Sequence, residues 1–242
     1  MIYLIDLNVI DAELEALLSK ELQDKNEYKR YHHRKDQMAH LCSAIIPKAL
    51  GISLGYYTTK EDISRGQYGK PYIASSMYEF NVSHSGNYMV VTYNTKPIGI
   101  DIEETIKYDD DVIKNCFSEE EGNYVSFAAE EEKNNRFTDI WTAKESYFKY
   151  MGYGIGDTMS SISVIASPVK EMIITERIVA DRLYSLSVCC KNISAFIDGR
   201  NRLRIKALSY KEIATFFELA ERIDKDDCII IKKRVLNMLR NI

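Results

Sequence analysis

The sequence predicts a mixed α/β (α+β) protein, a pseudo-twofold pair of similar α/β halves with a helical C-terminal tail. Three observations predict it. Apolar segments run in the order strand, helix, strands and then again strand, helices, strands, with the change near residue 100. No low-complexity or Pro/Gly-rich linker separates the two runs, so they are expected to pack as one rigid unit. The chain has 242 residues, 45% hydrophobic and 28% charged, enough for one large domain or two small ones around a real core. The expected divisions are residues 1–100, 101–210 and 211–242.

The elements follow in order. Residues 2–7, IYLIDL, read as a buried strand. Residues 11–50 have helical apolar spacing, closed by Pro47 and Gly51. GQYGKP at 66–71 is a turn or loop. FNVSHSGNYMVVTYN reads as a hairpin turning at SGN, its second strand almost continuously apolar or aromatic. KPIGIDIEE is another strand. Residues 110–132 and 134–151 read as two helices, the second ended by Gly152, Gly154 and Gly156. Strands are expected at 160–166, 183–190 and 205–210, and helical spacing returns over 211–239.

Composition excludes several classes. A formal net charge of −4 argues against a protein that coats nucleic acid, which needs a basic excess. Five cysteines without a C-x-x-C pair support neither a disulfide framework nor a zinc knuckle. The apolar N-terminus carries Asp6, Asp11, Glu13 and Glu15 and has no basic region or cleavage site, so it is not read as a signal peptide. No apolar run is long enough to span a bilayer. A cytoplasmic monomer without nucleic-acid or membrane partners is expected.

Two acidic signals stand out. Asp101 and Glu103 are two apart in a strand-like IGIDIE, so they share a face while Ile100 and Ile102 point to the core. Adjacent carboxylates repel unless a cation or proton compensates them, and hard oxygen ligands suit magnesium. By itself the pattern fits an edge strand with a solvated acidic face equally well. In WTAKESYFKYMGYG, Trp141, Glu145 and Lys149 fall at i+4 steps on one helix face. That block alone also fits a core-facing helix with an ordinary ion pair.

Together the blocks resemble a family. Gly99-Ile100-Asp101-Ile102-Glu103 followed by Trp141-Thr142-Ala143-Lys144-Glu145-Ser146-Tyr147-Phe148-Lys149 is the motif pair of the 4′-phosphopantetheinyl transferases. Gly69-Lys70-Pro71 and Phe80-Asn81-Val82-Ser83-His84-Ser85 match two further family segments. The resemblance covers roughly residues 1 to 210. The length is similar to the two-half, surfactin-synthetase-activating type rather than the short trimeric synthases.

The resemblance implies an enzyme that moves the phosphopantetheine arm of coenzyme A to a serine of an apo acyl or peptidyl carrier protein, releasing adenosine 3′,5′-bisphosphate. It implies magnesium held by Asp101, Glu103 and Glu145, with Lys149 and Lys144 adding charge around the phosphates, chemistry that rests on positioning and neutralisation. The base for the serine stays open between Glu145, Glu121 (in Phe117-Ser-x-x-Glu121) and metal hydroxide. Ser83 and His84 resemble the phosphate-binding strand, and Lys70 and Pro71 are expected near the adenine. Lys29, Arg30, Arg34 and Lys35 are expected to grip the 3′-phosphate, although the family's lysines fall slightly earlier, where this chain has Asp24, Lys25 and Glu27. Residues 112–127 are the expected carrier dock, made acidic by Glu119, Glu120 and Glu121. The tail 211–242 reads as a packed terminal helix or as a helix for a partner or membrane surface. Rival readings are another metal-dependent phosphoryl-transfer enzyme and a non-catalytic carrier-binding homologue.

Overall fold

The computed structural model describes residues 1–22, 24, 26–56, 63–67, 69–73, 76–153 and 158–223. The first half begins with β1 (Ile2–Asp6), a 3-10 turn, α1 (Ala12–Ser19) and the long α2 (Arg34–Ser53). Asp11 caps α1 by accepting from the Leu14 N–H at 2.8 Å. Two short strands, β2 (Ser64–Arg65) and β3 (Pro71–Tyr72), precede the hairpin of β4 (Glu79–Ser85) and β5 (Tyr88–Asn94). The second half opens with β6 (Gly99–Glu104). It continues through α3 (Asp110–Cys116), α4 (Glu119–Ser126) and α5 (Glu130–Met151) to the hairpin of β7 (Ile173–Val179) and β8 (Leu183–Cys189). β9 (Ile205–Leu208) and α6 (Tyr210–Ile223) follow.

The two halves repeat one topology. In the first, β1 pairs antiparallel with β5 and β5 with β4; in the second, β6 pairs antiparallel with β8 and β8 with β7. Each is therefore strand, helices, hairpin, with the hairpin's second strand in the middle. The α/β pair read from the sequence is what the chain forms. One element departs from it: β9 pairs parallel with β1, giving the order β4-β5-β1-β9.

Strand periodicity explains how the halves fuse. Along β5, Met89, Val91 and Tyr93 enter the core beneath α1, α2 and α6, whereas Val90 turns to the opposite face. There it meets Ile2 of β1, Ile100 and Ile102 of β6, and Leu186 and Val188 of β8. A sheet buried on both faces needs apolar residues at nearly every position, which is why YMVVTYN shows no alternation. The shared layer makes one unit of the two halves.

Three expectations change. The helix expected over 110–132 is two short helices, because Phe117 leaves helical geometry and Ser118 starts α4 with a capping box. Pro47 and Gly51 lie inside α2, whose burial against sheet and α6 outweighs their poor propensity. Residues 160–166 form no strand; their backbone is held by buried side chains instead, and the strand is 173–179. Gly152 does end α5, in the left-handed conformation at φ 74°, while Gly154 and Gly156 lie outside the described residues. So do residues 224–242 of the tail. The described cysteines, Cys42, Cys116, Cys189 and Cys190, are free thiols.

Candidate active site

The site is built where β4 of the first half faces β6 of the second. Asn81, Ser83 and Ser85 share one face of β4 and each reaches across. Asn81 Oδ1 accepts the Ile100 N–H at 2.8 Å, Ser83 Oγ donates to Asp101 Oδ1 at 2.7 Å, and Ser85 Oγ donates to Glu103 Oε2 at 2.7 Å. On β6 the alternation holds: Ile100 and Ile102 enter the shared core while Asp101 and Glu103 line a cavity.

α5 closes the other side, and Gly99 sets its distance. A Cβ on Gly99 would stand 1.8 Å from the Ser146 carbonyl oxygen and 2.5 Å from the Tyr150 nitrogen, so helix backbone rests directly on strand backbone. Trp141, Glu145 and Lys149, one turn apart on the same face, then all line the cavity. Lys149 Nζ lies 2.5 Å from Asp101 Oδ1 and 3.1 Å from Ser83 Oγ.

Charge is crowded here. Asp101 is only 2% exposed, and its Oδ2 is buried without a hydrogen-bond partner. Glu103 and Glu145 are each pushed up to about 7, first by burial and then by the Asp101 charge, with Lys149 opposing the shift. His84 lies below its ordinary value, through desolvation and then Lys149. Among the described residues no group of three His, Cys, Asp or Glu side chains is already gathered to hold a metal ion. The donor set nevertheless fits a hard divalent cation. It offers three carboxylates and an unpartnered buried oxygen, and burial followed by the Asp101 charge raises Glu103 and Glu145.

The cavity has a volume of about 880 Å³ and runs from this cluster along α2 to Phe217 of α6. Of the residues singled out in the sequence, Pro71, Ser83, His84, Asp101, Glu103, Glu145 and Lys149 line it. Five others do not. Lys144 and Glu121 are each 0% exposed and paired at 2.7 Å. Lys144 Nζ also donates to the carbonyls of Met159 and Ile162, and Glu121 accepts from the Ser118 and Val164 N–H groups. Both side chains are turned into the core as an ion pair, away from the cavity lining. Lys70 Nζ is tied to Glu79 Oε2 and the Ile98 carbonyl, both at 3.2 Å. Arg30 pairs with Asp24 at 2.8 Å on the surface, Lys29 sits over the Tyr28 ring, and Arg34 pairs with Glu15 at 2.5 Å. The wall there carries Tyr31, His40, Ser43, Lys48 and Arg65 instead. His40, Ser43 and Lys48 occupy one stripe of α2, and that helical spacing is the signal by which they could have been found.

The fold and this carboxylate–lysine cleft define a two-half transferase architecture. The model of the 4′-phosphopantetheinyl transferase superfamily matches residues 97–195, and that of the 4′-phosphopantetheinyl transferase N-terminal region matches 10–96. The chain is 32% identical to 4′-phosphopantetheinyl transferase Sfp of Bacillus subtilis (strain 168) over 163 residues, 66% of this chain and 72% of that protein. It is 31% identical to another B. subtilis 4′-phosphopantetheinyl transferase over 216 residues, 84% and 92% of the two chains. A third similar protein is the L-aminoadipate-semialdehyde dehydrogenase-phosphopantetheinyl transferase of Candida glabrata, 27% identical over 63% of this chain and 61% of that one. The chain belongs to the 4′-phosphopantetheinyl transferase superfamily, in its two-half, surfactin-synthetase-activating type, and is a transferase.

Proposed function

We propose that this chain transfers the phosphopantetheine arm of coenzyme A to a serine of an apo carrier protein, with magnesium bound, and releases adenosine 3′,5′-bisphosphate. The observation that carries this reading is Asp101: buried, with one oxygen unpartnered, the other shared by Ser83 and Lys149, and flanked by two carboxyls raised to about 7. Asp101, Glu103 and Glu145 are the residues that would hold the ion. When bound, magnesium supplies polarisation of the diphosphate and stabilisation of the departing phosphate.

The chain's own groups do the rest. Lys149 exchanges Asp101 for phosphate oxygens as the charge of the cluster is met. Neutral His84 donates an N–H to phosphate, consistent with its lowered pKa. Glu145 takes the proton of the carrier serine; Glu121, buried on Lys144, is out of reach. Acting as a monomer fits a cleft whose two walls come from one chain. A cytoplasmic site of action rests on the sequence; among the described residues no helix is long and apolar enough to cross a membrane.

The carrier is proposed to dock on residues 112–127. Glu121 is turned inward there, which reduces the acidity of that surface, and Phe127 and Tyr124 are 85% and 43% exposed. The test is product analysis: coenzyme A, magnesium and an apo carrier should yield adenosine 3′,5′-bisphosphate and holo carrier in equal amounts, and a chelator should stop both. Bisphosphate release that ignores the carrier would refute the reading.

A further inference from the structure

β4 reaches β6 through three side chains, and the last of them differs from the other two. Asn81 meets β6 backbone, at the Ile100 N–H, and Ser83 meets a β6 side chain, Asp101. Ser85 meets both. Its Oγ accepts the Glu104 N–H at 3.0 Å and donates to Glu103 Oε2 at 2.7 Å. A serine hydroxyl has one proton and two lone pairs. With a lone pair given to the amide, the proton is left for the carboxylate.

The serine is itself held in place. It ends β4, where it pairs with Tyr88 of β5. In the turn that follows, the Asn87 carbonyl accepts the Leu7 N–H at 2.8 Å, and Asn87 Nδ2 donates to Asp181 Oδ2 at 2.7 Å. Leu7 belongs to the first half and Asp181 to the connection between β7 and β8, so the turn is tied to both halves.

Ser83, His84, Asp101 and Glu103 line the cavity, and Ser85 does not. Its effect on the cavity passes through Glu103. A glutamate carboxyl turns easily about its last side-chain bond, where the torsion is broad. Magnesium demands near-octahedral geometry, so a carboxylate that turns freely loses that freedom on binding. A hydroxyl seated on the β6 backbone removes it beforehand.

We infer that Ser85 is a positioning residue of the candidate metal site, acting through Glu103 by fixing Oε2 of its carboxylate against the backbone of β6. This rests on the transferase reading above. The side chain touches neither donor nor carrier, and its contribution is to the affinity of the site for a divalent cation.

Thermal melts of the full chain against magnesium concentration, alone and with coenzyme A, test this without reading activity. The half-saturating magnesium concentration should rise about tenfold in Ser85→Ala, the lower end of what loss of a group behind a metal ligand costs. Ser85→Thr keeps the hydroxyl and should stay close to wild type. Ser85→Cys keeps the shape with a weak donor and should show a smaller rise, so the test survives if the alanine variant does not fold. At saturating magnesium, kcat of the folded variants should return close to that of wild type. The same half-saturating concentration in wild type, Ser85→Ala and Ser85→Cys overturns the inference alone, as does a kcat loss that saturating magnesium does not recover. A wild type whose midpoint ignores magnesium both alone and with coenzyme A overturns it together with the transferase reading.

Discussion

Lys149 Nζ stands 2.5 Å from Asp101 Oδ1 and 3.1 Å from the Ser83 hydroxyl that also donates to that carboxylate oxygen. The protein thus supplies its own cation on one side of a three-carboxylate cluster and leaves Asp101 Oδ2 without a partner on the other. Lys149→Ala should cost roughly 10²–10³ in kcat, as loss of a preorganised charge at a developing anion does. Circular dichroism should remain that of the wild type. Steady-state kinetics with unchanged kcat would assign Lys149 a purely structural role.

Asp101→Asn removes one of the mutually repelling charges. Transfer should fall below detection, while the thermal midpoint measured in chelator should be equal to or higher than that of wild type. The rise in midpoint that magnesium gives the wild type should disappear. Retention of that rise would move the ion away from Asp101.

The raised carboxyls set a pH dependence. Glu103 and Glu145 go from an ordinary 4.5 to about 7 in the folded protein. Between those values the folded state holds more protons than the unfolded one, so stability falls as pH rises. In chelator, the contribution of the two groups should be most favourable below pH 4.5, decline toward pH 7 and stay low above it. Magnesium should flatten the decline by compensating the ionised forms. Thermal melts between pH 5 and 8 measure this; a midpoint in chelator that climbs steadily over that range would contradict it.

The Lys144–Glu121 pair gives a prediction of the opposite kind. Lys144→Met leaves a carboxylate buried without its partner and should cost about 3–5 kcal/mol in chemical denaturation. Combining it with Glu121→Gln should recover much of that loss, since both charges are then gone. The folded fraction should keep near-normal kcat. A large kcat defect in a stably folded double variant would return these residues to the chemistry.

The same pair shows what a sequence can and cannot convey. Asp101 with Glu103, and Trp141 with Glu145 and Lys149, were legible because strand and helix periods of two and four put them on common faces. Lys144 sits beside Glu145 in the motif but about 100° round the helix, so one enters the cavity and the other the core. Phe117-Ser-x-x-Glu121 is a capping box whose glutamate also binds Lys144. Those two side chains satisfy the backbone of residues 159–164, which is why SISVIAS is not a strand. The placement of β9 beside β1, and with it Phe217 at the cavity, depends on a pairing across some two hundred residues that no local pattern records.

The central claim is a transfer reaction at Asp101, Glu103 and Glu145, and intact-mass spectrometry of an apo carrier tests it most directly. Incubated with this protein, coenzyme A and magnesium, the carrier should gain the mass of one phosphopantetheine on a single serine, and with Glu145→Gln it should gain none. An unmodified carrier across a panel of acyl and peptidyl carriers, or full modification by the Glu145→Gln variant, would contradict the account.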